Sequence, residues 1–295
     1  MKCIVSAAAC MLAVTLGMHA TPAAAQLGPE RPLGSPNTQT PPNIQVLPNS
    51  QVEVAYVEPG NAGFRPIYDK LKRRQVLEQL RVFLSPLRLP RKLLVKIDQC
   101  GAVTSPYKPG GPVTICYEYI DQIERLAPAE APPGSPPREV MVVGAFVQAV
   151  LHETARAVFD VLEVPVWGRE SDAADKLAAF IMMQFGKDVA LRTFVGTAWF
   201  FEASERTWTG NDFSDVASPE AQRFYNYLCM AYGGDPATFK FVVDNNLLPA
   251  RRAQRCAGEY QEVRYAFLKT IMPNVDQNLM KQVQAMEVLK SDDGR

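Results

Sequence analysis

The residues with the clearest chemical pattern are Leu151-His152-Glu153-Thr154-Ala155-Arg156. A histidine followed directly by a glutamate, with a second histidine one helical turn after the first, lets one helix face offer two imidazoles to a zinc ion. The glutamate between them then takes a proton from metal-bound water. Here the first two residues are present and Arg156 holds the second histidine position. A guanidinium stays protonated and has no lone pair to donate. It therefore places positive charge where a dication would sit. The sequence contains two histidines, His19 and His152, so a chain that loses its first segment keeps one imidazole. A lone histidine on an apolar helix also has a plainer reading, as a hydrogen-bonded core residue.

Other candidate chemistries are weaker. Ser171 has no second histidine or lysine placed by sequence to activate it as a nucleophile. Cys100, Cys116, Cys229 and Cys256 contain no C-x-x-C pair and read as structural. Arg251, Arg252 and Arg255 read as a solvated helix face. Trp199, Phe200, Phe201 and Trp208 could line a cleft for a peptide, although aromatic residues at this density more often form core.

The elements that must position these residues follow from periodicity. Residues 52–57 alternate as a strand, and residues 67–84 carry apolar side chains at helical spacing. Residues 93–98 and 113–119 read as a strand and its returning partner around a Pro- and Gly-rich turn. Cys100 and Cys116 would then sit on the two arms of a hairpin. A short helix over 118–126 and a proline-rich loop over 128–137 precede a long helix over about 139–163. That helix is apolar on nearly all faces in its first half, which indicates a buried central helix carrying the motif. A helix over 171–185 follows, and residues 219–272 read as helical. The order is a mixed part and then an all-helical part, an α+β arrangement.

The 295 residues carry 31 basic and 31 acidic side chains and are 47% apolar. This excludes whole-chain disorder and argues against a nucleic-acid partner. Lys2, the apolar run 4–18 and Ala23-Ala24-Ala25 read as a signal peptide over 1–25. No later stretch reads as long and apolar enough to span a bilayer. Removal of residues 1–25 leaves four cysteines, an even number that suits two disulfides in an exported protein. Of the three possible pairings, Cys100–Cys116 and Cys229–Cys256 are favoured, each being close in sequence. Residues 26–50 read as a Pro-rich flexible linker, 51–275 as one domain and 276–295 as a polar C-terminal tail. The expected location is periplasmic or extracellular.

Beyond the motif, the chain carries Pro165-Val166-Trp167-Gly168-Arg169-Glu170-Ser171-Asp172-Ala173-Ala174-Asp175. Cys100-Gly101, Ile115-Cys116-Tyr117-Glu118, Gln222-Arg223-Phe224-Tyr225-Asn226, Leu228-Cys229, Tyr232-Gly233 and Cys256 with Glu259-Tyr260 follow the same order. With these pieces the sequence resembles, over about residues 60–272, a family of secreted bacterial metallopeptidase-like proteins with a zincin-like domain of unknown function. The resemblance implies a small sheet packed on the long motif-bearing helix, with a helical C-terminal part after it. It places His152 at the first zinc-ligand position and Glu153 at the general-base position. Arg156 replaces the second ligand, and Ser171 falls where a ligand glutamate would stand. Asp175 falls where an aspartate orients the histidine.

A catalytic zinc site needs about three protein ligands and a water, and His152 alone does not supply them. Glu170 or Asp172 could stand in for the lost glutamate, but neighbouring helical positions point about 100° away. Alternatively Arg156 substitutes for the metal by bridging Glu153, Asp175 and Glu170. The expected function is therefore a pseudoenzyme with no cofactor, which binds a peptide or protein in the old cleft. The competing reading is an active zinc metallopeptidase that uses His152 with Glu170 or Asp172 and keeps Glu153 as general base. A third is a scaffold whose cleft has no role.

Overall fold

The computed structural model describes residues 51–104, 106–207 and 218–285. The expected signal peptide and linker, Trp208 and residues 286–295 of the expected tail lie outside the described residues. The chain begins with β1 (Val52–Tyr56), α1 (Arg65–Arg73), α2 (Val76–Leu84), β2 (Leu93–Asp98), β3 (Val113–Cys116) and α3 (Tyr117–Leu126). It continues with α4 (Arg138–Val161), α5 (Glu170–Met182), α6 (Lys187–Thr207) and α7 (Glu220–Gly234), then α8 (Phe241–Asp244), α9 (Ala250–Thr270) and α10 (Gln277–Ala285). The fold is α+β: a small three-stranded sheet and a larger helical body.

The sheet has the order β1-β2-β3 and both pairings are parallel, with Val52 opposite Leu93 and Val95 opposite Val113. The hairpin expected over 93–119 is therefore not formed. Parallel partners require the connection to travel back along the strand, and the described residues of the 99–112 connection, 99–104 and 106–112, form a loop that turns at Gly101 (φ +71°) and Gly110 (φ +78°). The third strand also ends earlier than expected, because Tyr117 opens α3. Its ring is buried and its hydroxyl donates to the Val57 carbonyl at 2.8 Å, which ties α3 to the end of β1.

The single helix expected over 67–84 is two helices. Gln75 adopts φ +50° between them. The break brings α2 back onto β1, where the Tyr56 hydroxyl accepts the Leu77 amide at 2.8 Å and donates to Glu78 at 2.8 Å. Tyr56 thus takes up one of the amides that the start of a helix leaves without an intrahelical partner.

The long helix α4 runs through the centre of the molecule. Contrary to the sequence expectation, it is long and apolar enough by length and composition to cross a membrane. Of its most apolar window, 61% is buried inside the protein, which is the environment of a core helix. It crosses α6, an element the sequence pattern did not single out, at Gly144 and Gly196. A Cβ on Gly196 would lie 2.0 Å from the Val140 carbonyl oxygen, so the two backbones approach in a way only glycine permits. Phe200 and Phe201 on α6 are buried, and Trp199 packs against the same core.

Both expected cysteine pairs are bonded, Cys100 to Cys116 and Cys229 to Cys256. The first closes the base of the 99–112 loop. The second joins α7 to α9 where Gly233 meets the Cys256 carbonyl. Arg251 and Arg255 are exposed, and Arg252 pairs with Glu259 at 2.6 Å. Within the polar tail expected over 276–295, residues 277–285 form α10. Asp276 caps that helix, accepting the Asn278 and Leu279 amides at 3.0 Å, and pairs with Arg88 at 2.9 Å.

Candidate functional site

Helices α4 and α5 pack side by side with opposite sense. His152 faces Asp175, and one turn later on α4 Arg156 faces Glu170, one turn earlier on α5. His152 and Arg156 are four apart and share a face of α4, while Glu170, the first residue of α5, reaches Arg156 from the start of its helix. Ser171 sits one turn before Asp175, half-buried in the first turn of α5.

Asp175 is the most connected group. Its carboxylate is 4% exposed and lies 2.7 Å from His152 Nδ1. It accepts from Arg223 Nε at 2.7 Å, from Arg223 Nη2 at 3.0 Å and from Gln148 Nε2 at 3.1 Å. The Tyr227 hydroxyl donates to it at 3.4 Å. Burial alone would push this carboxyl up. The Arg223 guanidinium and the hydrogen bonds from His152 and Arg223 outweigh burial and hold it well below the usual carboxylate range. An ionised carboxylate only accepts, so His152 Nδ1 carries the proton and the ring is fixed in one orientation. His152 Nε2 lies 3.9 Å from a Glu153 carboxylate oxygen, beyond hydrogen-bond reach.

Arg223 comes from α7 and is itself enclosed, its guanidinium 4.5 Å from the centre of the Phe201 ring and 3.2 Å from Glu220. Asp175 is thus neutralised by Arg223, not by Arg156 as the sequence reading expected. The reason is placement: Arg223 lies 48 residues further along the chain, and only the packing of α7 on α5 brings it there.

Arg156 bridges the two other acids. Its Nε donates to Glu170 at 2.8 Å and its Nη1 to Glu153 at 3.4 Å. Glu153 also accepts the Tyr107 backbone amide at 2.7 Å. That amide belongs to the 99–112 loop, which is strapped along the same face of α4. The Tyr107 hydroxyl donates to Asp160 at 2.7 Å, the Gly110 amide donates to it at 3.0 Å, and Arg91 pairs with it. The Tyr107 hydroxyl and the Gly110 amide hold the Asp160 carboxyl below its usual range. At the base of the loop, Glu118 accepts the amides of Cys100 (3.1 Å) and Gly101 (2.8 Å).

Beside this cluster a recess opens to solvent. Tyr107, Arg156, Asp160 and Glu170 supply its polar lining, and Phe159, Val164 and Val166 its apolar side. Of the two acids weighed as stand-ins, Glu170 reaches the motif. Asp172 is half-buried and makes no hydrogen bond to the motif residues among those described.

The residues present do not fit a zinc ion. Where the second imidazole would stand there is a guanidinium held between two carboxylates. Among the described residues, the one group of three potential ligand atoms close enough to share an ion is Cys100, Cys116 and Glu118, and its two sulfurs are joined in a disulfide. Sequence reasoning missed Arg223, Gln148, Tyr227, Tyr107 and Asp160. The pattern could have shown Asp160, since positions 153, 156 and 160 share one helix face. The others meet the site through long-range packing or through a loop.

A family model described as "putative metallopeptidase" matches residues 56–270. No curated protein and no solved structure matches the chain.

Proposed function

The chain belongs to the metallopeptidase family so described, and on that premise we propose that it is a pseudoenzyme. In this reading it is an exported, zincin-like protein that has exchanged its metal for the Arg156 guanidinium and binds a peptide or protein in the recess beside it. The observation that carries the reading is the Arg156 bridge between Glu153 and Glu170. A guanidinium there neutralises the acids that a dication would otherwise hold together. Glu153 occupies the general-base position, but its carboxylate is engaged by Arg156 and by the Tyr107 amide. No cofactor is expected. The two disulfides suit an oxidising compartment, which supports export.

The second reading, an active zinc peptidase with divergent ligands, draws on the His152–Asp175 pair. A carboxylate that orients an imidazole is the arrangement that supports a metal-binding histidine. In that reading His152 with Glu170 or Asp172 would hold the ion and Glu153 would be the base.

The deciding measurement is the metal content of the untagged protein purified from the medium or periplasm. The pseudoenzyme reading expects well under one zinc per chain, and the same content after His152→Ala. Near-stoichiometric zinc that disappears with His152→Ala would overturn it.

A further inference from the structure

We propose that the recess beside Arg156 is a subsite for a basic side chain, arginine or lysine, of a polypeptide partner. The inference rests on the proposed reading of the recess as a binding cleft and names what it selects. The recess is lined by two carboxylates, Asp160 and Glu170, and one guanidinium, Arg156, and counting Glu153 and Arg91, which pair with these groups, the cluster keeps one net negative charge.

The hydrogen bonds are also unevenly used. Tyr107, Gly110 and Arg91 all engage Asp160 Oδ2, and Arg156 engages Glu170 Oε1. Asp160 Oδ1 and Glu170 Oε2 thus keep acceptor capacity among the described contacts. Arg156 donates through Nε and Nη1, which leaves Nη2 as a donor. A cationic head satisfies the two acceptors. A backbone carbonyl beside it satisfies Nη2, and this favours a polypeptide over a free amine.

The apolar side formed by Phe159, Val164 and Val166 matches the methylene stem of such a side chain. Immediately after Val166 stands Trp167, 95% exposed at the end of the α4–α5 connection. The fold gives this indole no packing role. The ring does not line the recess, but one residue beyond its Val166 wall an indole this exposed is free to offer a ring face, the preferred aromatic partner of ammonium and guanidinium groups, to a cation bound there.

The test uses the whole exported chain, ¹⁵N-labelled on its tryptophan indoles, with Trp167→Phe identifying the Trp167 signal. The probes are the N-acetyl N-methylamides of arginine, of its neutral isostere citrulline, and of glutamate. Arginine should shift the Trp167 signal saturably while citrulline and glutamate do not. Glu170→Gln, read by the Trp167 signal, and Trp167→Ala, read by isothermal titration calorimetry, should each weaken arginine binding by about two- to fivefold, the range for an exposed ion pair or cation–π contact. Equal binding of citrulline, or unchanged affinity in both variants, overturns the proposal. Trp167→Ala removes an exposed ring, so it reads the subsite even if Glu170→Gln disturbs folding.

A parallel selection from a random dodecapeptide display library separates this failure from that of the cleft reading. Enrichment of peptides with arginine or lysine at a fixed position supports the subsite. Selected peptides that perturb Trp167 without a basic residue defeat the subsite alone. A library from which nothing binds the folded protein defeats both readings.

Discussion

If Arg156 replaces a metal ion, its removal must destabilise the protein. The size of the loss follows from its two contacts. The Glu170 pair is short, 2.8 Å, but Glu170 is 48% exposed, so it contributes only about 0.2–1 kcal/mol. The Glu153 pair is more enclosed, with both side chains 19% exposed, but at 3.4 Å it is long. A well-formed hydrogen bond to a charged group is worth about 1.5–3 kcal/mol, and the stretched geometry places this one at or below the lower end. Arg156→Ala is therefore expected to cost about 1–2.5 kcal/mol, or about 2–10 °C in Tm for a domain of this size. Guanidinium chloride denaturation with the disulfides intact measures it, and the denaturant slope should not change. Arg156→Lys should fall between parent and alanine, because it keeps the charge and loses the two-pronged donor. A double-mutant cycle with Glu153→Gln should give a coupling of about 0.5 kcal/mol or more. If Arg156→Ala is as stable as the parent, or the coupling is zero, the guanidinium is not a structural replacement for an ion.

The remaining predictions concern the same helices. Arg156→His with Ser171→Glu should create zinc binding, because the two positions lie one turn from His152 and Asp175 on facing helices. A folded double variant that takes up no zinc on equilibrium dialysis would refute this placement. Asp175→Ala should cost about 3–5 kcal/mol by leaving the enclosed Arg223 with only its Glu220 contact, readable as a loss of Tm. The folded Asp175 carboxyl lies below its unfolded value of about 4. Its contribution is therefore complete above that pH and lost as pH falls through the folded value. Melting curves between pH 7 and 2 should show a steep acid limb that Asp175→Asn flattens, and identical acid limbs would contradict the assignment. Gly196→Ala should cost about 1–3 kcal/mol or more by forcing apart α4 and α6, and unchanged stability would mean that the crossing can relax.

Particular residues show how far the sequence was readable. The apolar run from about 139 and the polar-to-apolar switch after Glu170 are local signals of helix period, and they located the starts of α4 and α5 to within one residue and their ends to within two and three. The pairing of the four cysteines followed from short separations. Local patterns could not tell a parallel crossover from a hairpin at 93–116, because a strand's own alternation carries no direction for its partner. They also could not show the break at Gln75, where the return of α2 onto Tyr56 outweighs a continuous helical period.

The sequence by itself determined the ligand chemistry of the motif. Residue identity settles that Arg156 cannot donate a lone pair and that one imidazole remains after His19. The order of His152, Arg156, Glu170 and Asp175 along two helices made their pairing foreseeable. Only the tertiary structure decided which cation answers which acid. Arg223 arrives at Asp175 from α7, and the Tyr107 amide arrives at Glu153 from a loop folded back along α4. These contacts join segments about 50 residues apart in the chain, and packing of the helices, not any local preference, fixes how such segments meet.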